Sequence, residues 1–89
     1  MVRNADDERY ELWVGNDRVG TITYRDEPDA VVLISTQVPP EFEGRGFGSR
    51  IVHDALADIR GQGLKVVAEC SFAAAYIERH AEERDLVRS

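Results

Sequence analysis

Residues 38–49, VPPEFEGRGFGS, connect an apolar segment to an amphipathic one and decide how the chain is organised. The two prolines end the preceding strand, because proline cannot donate a ladder hydrogen bond. Gly44, Gly46 and Gly48 at alternate positions permit positive φ and a close approach of backbone to a ligand. With a helix starting inside this stretch, its free N–H groups predict a phosphate or pyrophosphate cradle, to which Arg45 adds a charge.

A second interpretation of the same loop stays open, namely a tight strand-to-helix connection that binds nothing. The glycine spacing is G-x-G-x-G, which differs from the dinucleotide-binding G-x-G-x-x-G. The P-loop pattern does not match either, because its lysine is missing.

The segments around this loop predict an α/β (α+β) fold with the order β-β-β-α-β-α. Alternating residues over 8–14 and 18–25, separated by Gly15-Asn16-Asp17, indicate an antiparallel hairpin. Residues 30–38 start with a continuous apolar run, which indicates a central buried strand. Residues 64–70 predict a further strand, and residues 72–80 a short helix with Ser71 as its N-cap. We therefore expect a mixed, mostly antiparallel sheet covered by helices.

The helix after the loop is predicted from its apolar face and ends near Gly61 and Gly63. The residues that share this face are Phe47, Ile51, Val52, Ala55, Leu56 and Ile59. His53 falls outside this face and is expected at the solvated surface.

Length and composition limit the remaining possibilities. Eighty-nine residues predict one domain, 1–89, in which residues 1–7 are expected to form a flexible tail. Seventeen acidic against eleven basic residues give a net charge of −6, which argues against nucleic acid as a partner. No apolar run is long enough for a membrane span, and the N-terminus lacks a secretory pattern, so we expect a cytoplasmic location. One cysteine and two histidines predict neither a disulfide framework nor a metal site.

The motifs of the chain resemble those of the GNAT superfamily of N-acetyltransferases. In the family pattern [QR]-x-x-G-x-[GA], Gly46 and Gly48 match the glycines, whereas Glu43 stands where Gln or Arg is usual. A minimal branch, the YjdJ-like acetyltransferase-like domains, is more similar over about residues 10–87. It shares the V-P-x-x-x-E-G-x-G segment, a cysteine followed by an aromatic residue, and a Y-I-x-x-H stretch. In this chain the last two are Cys70-Ser71-Phe72 and Tyr76-Ile77-Glu78-Arg79-His80, followed by Ala81 where that branch often has proline.

The resemblance implies a minimal acyl-CoA N-acyltransferase fold that uses acetyl-CoA as co-substrate. The strands at 30–38 and 64–70 would part, and the pantetheine arm would enter between them. The backbone of Val38 would pair with the pantetheine amide, and the thioester would end near Cys70. The pyrophosphate would be bound by the backbone amides of Gly44, Arg45, Gly46, Phe47, Gly48 and Ser49.

Two residues are the candidates for catalysis. Cys70 lies at a strand end and is interpreted either as a nucleophile that accepts acetyl or as a buried structural thiol. Tyr76 lies where the family often places the proton donor to the CoA sulfur, or it is a core aromatic residue. His80, one turn further, either orders Tyr76 or Cys70 or simply favours the helix end. Glu41 and Glu43 are possible bases, or they charge the first turn of the helix.

Two functional hypotheses follow. The first is an acetyl-CoA-dependent N-acetyltransferase with an unknown amine acceptor, for which the acidic surface favours a basic protein or peptide. The chain has no room for the parts that usually form the acceptor site in the larger family, so the acceptor is expected to dock in an open groove. The second is a non-catalytic CoA-binding or protein-interaction module. An exposed sheet edge would allow a homodimer in either case.

Overall fold

A computed structural model describes residues 1–88 and contains one five-stranded sheet in the order β1-β2-β3-β4-β5. The strands are β1 Val2–Asn4, β2 Arg9–Val14, β3 Asp17–Asp26, β4 Ala30–Gln37 and β5 Lys65–Ala68. Each of β1, β2 and β3 is antiparallel to the strand that follows it, and β5 runs parallel to β4. This arrangement confirms the predicted α+β fold with a mixed, mostly antiparallel sheet.

Two α-helices and two 3₁₀ segments complete the architecture. They are the 3₁₀ turn Pro40–Phe42, α1 Phe47–Gly61, α2 Ser71–Arg79 and the 3₁₀ segment Ala81–Leu86. The helix α1 forms the connection between the parallel strands β4 and β5, as a parallel pair requires. Cys70, not Ser71, occupies the N-cap position of α2, so this prediction was wrong by one residue.

The expected flexible tail at residues 1–7 is also corrected, because Val2–Asn4 forms strand β1. It pairs with β2 in the register Val2↔Glu11 to Asn4↔Arg9. The guanidinium of Arg3 lies 3.7 Å from the carboxylate of Asp58 on α1, which ties the strand to the helix layer. The predicted order of elements therefore lacked this first strand.

Both helices pack on the same face of the sheet. The apolar face predicted for α1 is confirmed for five of its six residues, because Ile51, Val52, Ala55, Leu56 and Ile59 are all fully buried. The sixth, Phe47, is partly buried and packs against the edge of the core. They form one cluster with Ala73 and Ile77 of α2 and with alternate residues of the strands: Tyr10, Leu12, Ile22, Tyr24, Val31, Leu33 and Val66. His53 is exposed on the outer side of α1, as expected. None of the helices in residues 1–88 combines the length and the apolar character that a membrane crossing requires.

Candidate functional site

The parallel strands β4 and β5 separate before β4 ends. Their pairing runs from Ala30↔Lys65 to Leu33↔Ala68. The carbonyl oxygen of Leu33 then accepts two hydrogen bonds, from the amides of Glu69 and Cys70 at 3.0 and 2.9 Å, before the chain turns into α2. The last residues of β4 keep their pairing with β3 only, so one edge of this strand end has no strand beside it. The parting of the two strands is thus as the resemblance implied.

The glycine loop presents unpaired amides at the start of α1. Gly44 and Gly46 both have φ of 80°, and Gly46 is the N-cap without any side-chain capping bond. The first helical hydrogen bond joins the amide of Arg50 to the carbonyl of Gly46 at 3.0 Å. Helix geometry therefore leaves the amides of the three preceding residues, 47–49, without intrahelical partners, and they carry the positive end of the helix dipole.

A cavity of about 360 Å³ lies against this loop, and we call it the loop cavity. Its lining residues are Thr36, Val38, Phe42, Glu43, Gly44, Gly46, Phe47, Gly48, Ser49 and Phe72. Six of the seven residues predicted to bind the cofactor therefore line this one cavity. The seventh, Arg45, does not line the cavity, and its guanidinium lies 5.9 Å from the ring centroid of Phe42.

Phe72 closes the loop cavity on the side of α2. A Cβ atom placed on Gly48 would lie 2.9 Å from Cζ of Phe72, which is closer than real Cβ contacts allow. A side chain at position 48 would therefore displace the ring of Phe72, whereas positions 44 and 46 require glycine because of their backbone conformation. The sequence suggested the glycines, but it did not indicate Phe72 as their neighbour.

Cys70 lies directly behind the wall of the loop cavity. Its side chain is 7% exposed, and its Sγ atom is 3.2 Å from Oγ1 of Thr36, which does line the cavity. Burial disfavours the thiolate, but the hydrogen bond with Thr36 and the nearby amides of Ala73 and Phe72 outweigh it, so the pKa of the Cys70 thiol is lowered. A thiol with this environment ionises more readily than a free cysteine.

Tyr76 does not line the loop cavity but lies between the two helices. Its ring stacks on the ring of His80, with centroids 3.9 Å apart and planes inclined by 16°. Burial, followed by the charges of Glu83 and Glu82, raises the pKa of Tyr76, so its hydroxyl stays protonated. Cys70 is six residues earlier, about 9 Å along the helix axis at 1.5 Å per residue. It lies behind the loop cavity, whereas Tyr76 lines two cavities between the helices, so the structure does not bring the two predicted catalytic residues together.

Two adjoining cavities of about 160 and 500 Å³ lie between α1 and α2, and together we call them the interhelix groove. Their lining residues are Ser49, Arg50, His53, Asp54, Phe72, Ala75, Tyr76, Arg79 and His80. Ser49 and Phe72 also line the loop cavity, so the two spaces adjoin. Sequence reasoning missed this groove, although the i, i+4 pairs Ser49/His53 and Tyr76/His80 each mark one helix face.

A further cavity of about 500 Å³ lies at the start of β3 and the end of β4, and we call it the strand-end cavity. Its lining residues are Arg18, Gly20, Thr21, Thr36, Gln37, Val38, Pro39, Pro40 and Glu43. Thr36, Val38 and Glu43 line both this cavity and the loop cavity. The end of β4 therefore separates two spaces that share one wall.

Comparisons with known proteins agree with this geometry. Residues 9–86 match the family described as GCN5-related N-acetyl-transferase. The solution NMR structure of a GCN5-like, presumed N-acetyltransferase from Staphylococcus aureus superposes with a TM-score of 0.71 and 25% sequence identity. The match covers 92% of this chain and 82% of the other. A search of curated proteins finds no match.

Proposed function

The chain belongs to the GCN5-related N-acetyltransferase family, and on this premise we propose that it transfers the acetyl group of acetyl-CoA to an amine. The observation that carries the proposal is the free edge of β4 beside the glycine loop. A strand edge can pair with the amides of an extended ligand arm, and the unpaired amides of residues 47–49 can receive a pyrophosphate. Both features adjoin one cavity.

The cofactor-binding residues take separate parts of CoA in this proposal. The backbone of Val38 pairs with a pantetheine amide, and the amides from Gly44 to Ser49 surround the pyrophosphate. Arg45 is exposed and forms no ion pair with the carboxylates of residues 1–88, so its guanidinium is available to the same phosphates.

Two routes for the transfer are compatible with the residues present. In the direct route the amine attacks the acetyl carbonyl and the C–S bond breaks. The CoA sulfur takes a proton from Tyr76, and the proton that the amine releases to solvent restores the Tyr76 hydroxyl. The hydroxyl of Tyr76 is protonated at the start of this step, as a donor must be, although its raised pKa makes it a weaker acid than a free tyrosine. In the covalent route the thiolate of Cys70 takes the acetyl group and CoA leaves as a thiol. The amine then attacks the S-acetyl group, loses its proton and restores Cys70.

The acceptor is proposed to approach through the strand-end cavity. Glu43 is the one carboxylate among the described residues that lines both this cavity and the loop cavity. A carboxylate at this position attracts a protonated amine toward the shared wall at Thr36. The net charge of −6 favours a basic protein or peptide as the acceptor.

A CoA-binding module without catalysis is the second candidate. It is favoured by the burial of Cys70 and by its separation from Tyr76. In the lining of the loop cavity described above, Glu43 is also the one carboxylate, and there is no imidazole. A protein that only binds CoA would need the loop cavity but neither of the two candidate catalytic side chains.

The test begins with titration of ¹⁵N-labelled protein with CoA and with acetyl-CoA. We expect the amide resonances of residues 44–49 to shift in a saturable manner. Unchanged resonances would exclude both candidates. Thiol release from acetyl-CoA is then measured with a panel of small amines and basic peptides. Turnover above the rate without enzyme supports the transferase, whereas binding without turnover supports the module.

A further inference from the structure

We propose that the acceptor is the free N-terminus of an extended peptide, which binds beside the first residues of β3 and presents its α-amine to the thioester. This inference rests on the proposed function and deepens it, because it names the acceptor amine and the way in which the acceptor binds. It comes from the strand-end cavity, which adjoins a piece of sheet edge that no strand of residues 1–88 covers.

The uncovered edge belongs to the first four residues of β3. Residues 17–20 lie beside β2, but the pairing of β3 with β4 begins only at Thr21↔Gln37. Arg18 and Gly20 line the strand-end cavity, so this edge adjoins the cavity. An edge of this kind can pair with the main chain of an extended peptide, as in the addition of a strand to a sheet. Four residues of a strand measure about 13 Å, which is enough to pair with three or four residues of a peptide.

Two prolines keep this edge uncovered. Pro39 and Pro40 follow soon after the last residue of β4, and both line the strand-end cavity. Proline has no amide hydrogen and cannot donate a hydrogen bond to a neighbouring strand. The chain therefore leaves the sheet and enters the 3₁₀ turn Pro40–Phe42 instead of continuing beside β3. The strand-end cavity occupies the place beside β3 that a longer β4 would fill.

The uncovered edge is closed at one end and open at the other. From Thr21 onward β4 lies beside β3, so a peptide strand on this edge cannot continue past Thr21. At the other end Asp17 and Arg18 are exposed next to the hairpin turn, and a bound chain can leave into solvent there. A chain terminus fits the closed end without a turn, whereas an internal segment would have to bend away from the sheet at that point.

The groups near the closed end favour an amine over a carboxylate. Glu43 lines the strand-end cavity and forms no ion pair with residues 1–88, so it attracts a protonated α-amine and repels a C-terminal carboxylate. Thr36 lines the same cavity, and its Oγ1 atom is 3.2 Å from Sγ of Cys70, near which the thioester is proposed to end. A peptide that starts at this end and runs toward Asp17 is antiparallel to β3.

Arg18 gives the edge a preference for one side chain of the peptide. Its guanidinium is exposed, and its one ion pair among residues 1–88, with Glu11, is as long as 3.7 Å. When the first peptide residue lies opposite Gly20, the third lies opposite Arg18. Opposite charges that face each other across two strands stabilise the pair, so an acidic third residue is favoured. The basic residues that the net charge of −6 favours then follow outside the cavity.

The first experiment compares three acceptors in the same assay. One peptide has a free N-terminus and no lysine, a second has a blocked N-terminus and one internal lysine, and the third acceptor is a small alkylamine. Thiol release from acetyl-CoA gives kcat/KM, and tandem mass spectrometry locates the acetyl group. We expect kcat/KM for the free N-terminus to exceed both other values by about tenfold or more, as one or two main-chain hydrogen bonds would provide.

Methylation of single amides in the peptide tests the strand pairing itself. Amide groups along a strand point alternately to its two sides, so only every second amide faces β3. N-methylation at the second or the third residue should therefore raise KM about tenfold at one of these positions and less than about twofold at the other. Equal effects at both positions would overturn the pairing with β3.

Arg18→Gln tests where the peptide lies. The wild-type protein should prefer glutamate to lysine at the third residue several-fold in KM, and this variant should lose the preference while its affinity for CoA stays the same. Arg25→Gln is the matched control, because Arg25 lies toward the other end of β3, where it pairs with Glu27 and Glu69. A preference that persists in Arg18→Gln would contradict binding beside Arg18.

The outcomes separate this inference from the proposed function. Acetylation of the lysine side chain or the small amine at a rate equal to or above that of the free N-terminus would overturn the inference and leave the transferase intact. If none of the three acceptors is acetylated, the transferase fails and this inference fails with it. Thermal unfolding of both variants checks that these exposed substitutions preserve the fold.

Discussion

Two polar regions of the molecule differ in how their charges are satisfied. On β2 the buried carboxylate of Glu11 accepts hydrogen bonds from Nε of Arg9 at 2.6 Å, Nε1 of Trp13 at 3.1 Å and Nδ2 of Asn4 at 3.4 Å. Arg18 adds a further charge at 3.7 Å. In the interhelix groove and on the glycine loop, by contrast, Arg79 and Arg45 have no carboxylate partner among residues 1–88. The first region is complete within the protein, whereas the second contains guanidinium groups that no carboxylate of residues 1–88 pairs with.

We expect the Glu11 cluster to contribute to the stability of the fold, and the unpaired arginines of the groove and the glycine loop to contribute to ligand binding. Removing a donor from the Glu11 cluster leaves a buried carboxylate with fewer hydrogen bonds and costs stability. Removing an unpaired cation from an exposed groove costs little stability and should weaken only ligand binding. Variants in the Glu11 cluster should therefore change the free energy of unfolding, and variants on the glycine loop or in the groove should change ligand affinity.

The largest effect is expected from Gly46→Val. A β-branched residue strongly disfavours φ of 80°, so the N-terminus of α1 must rearrange and the unpaired amides lose their common orientation. We expect CoA affinity to fall by about 100-fold or more, as loss of two charged hydrogen bonds would cause, when measured by calorimetry. Gly63→Val is the control, since Gly63 has φ of 73° and equally open space but lies at the other end of α1. Similar losses in both variants would contradict a specific role of the loop.

The next effects concern the two catalytic candidates. If the covalent route operates, Cys70→Ala lowers turnover by about 100-fold while CoA affinity stays within a factor of about three. If Tyr76 protonates the leaving sulfur, Tyr76→Phe has an effect of the same size because only the hydroxyl is lost. Mass spectrometry after incubation with acetyl-CoA checks whether Cys70 is acetylated. An unmodified Cys70 together with full turnover of Cys70→Ala would exclude the covalent route.

A substitution of Glu11 should lower the stability of the protein and leave its affinity for CoA unchanged. Burial is retained in Glu11→Gln, but the charge-assisted bond with Arg9 is lost, so we expect a loss of about 1–3 kcal/mol in the free energy of unfolding at pH 7. Hydrogen bonds from Arg9 and then Trp13 lower the pKa of Glu11. The stabilisation by Glu11 is therefore present above its ordinary pKa and is lost as the pH falls through the lowered value.

Urea unfolding at pH 7 and at pH 3 measures this contribution. The difference in stability between wild-type protein and Glu11→Gln should shrink at the lower pH. Glu78→Gln serves as the control, because the carboxylate of Glu78 is exposed and forms no ion pair with residues 1–88. A pH-independent difference for Glu11→Gln would refute the electrostatic explanation, and a loss of CoA affinity would refute the separation of the two regions.

The sequence predicted the elements with strong periodicity, and it missed what depends on tertiary neighbours. Helix α1, with its buried face, and the glycine loop before it follow from local patterns, and so does the hairpin of β2 and β3. Strand β1 was missed because the three residues Val2–Asn4 are too few to show an alternating hydrophobic pattern, and because the strand is held by its pairing with β2. The interhelix groove could not be predicted, since nothing in one helix indicates which face of another helix lies beside it.

Gly48 was predicted as a backbone contact to a ligand, and its packing against Phe72 leads to the smallest expected effect. In Gly48→Ala the new Cβ would lie 2.9 Å from Cζ of Phe72, so the ring must move. Phe72 is 44% exposed and can rotate, and it lines both the loop cavity and the groove. We therefore expect a loss of about fivefold in CoA affinity, as about 1 kcal/mol of overpacking would cause, with little change in stability.

The double variant Gly48→Ala/Phe72→Ala determines whether the displaced ring is the cause. Without the ring the new methyl group meets no obstacle, so the double variant should bind CoA as tightly as Phe72→Ala alone. Gly61→Ala is the control within the same helix, because a Cβ there has no neighbour within 4 Å and alanine is the better helix former. If Gly48→Ala weakened binding equally with and without Phe72, glycine would be required at position 48 by the ligand itself. In that case the loop, not α2, would set the shape of the cavity.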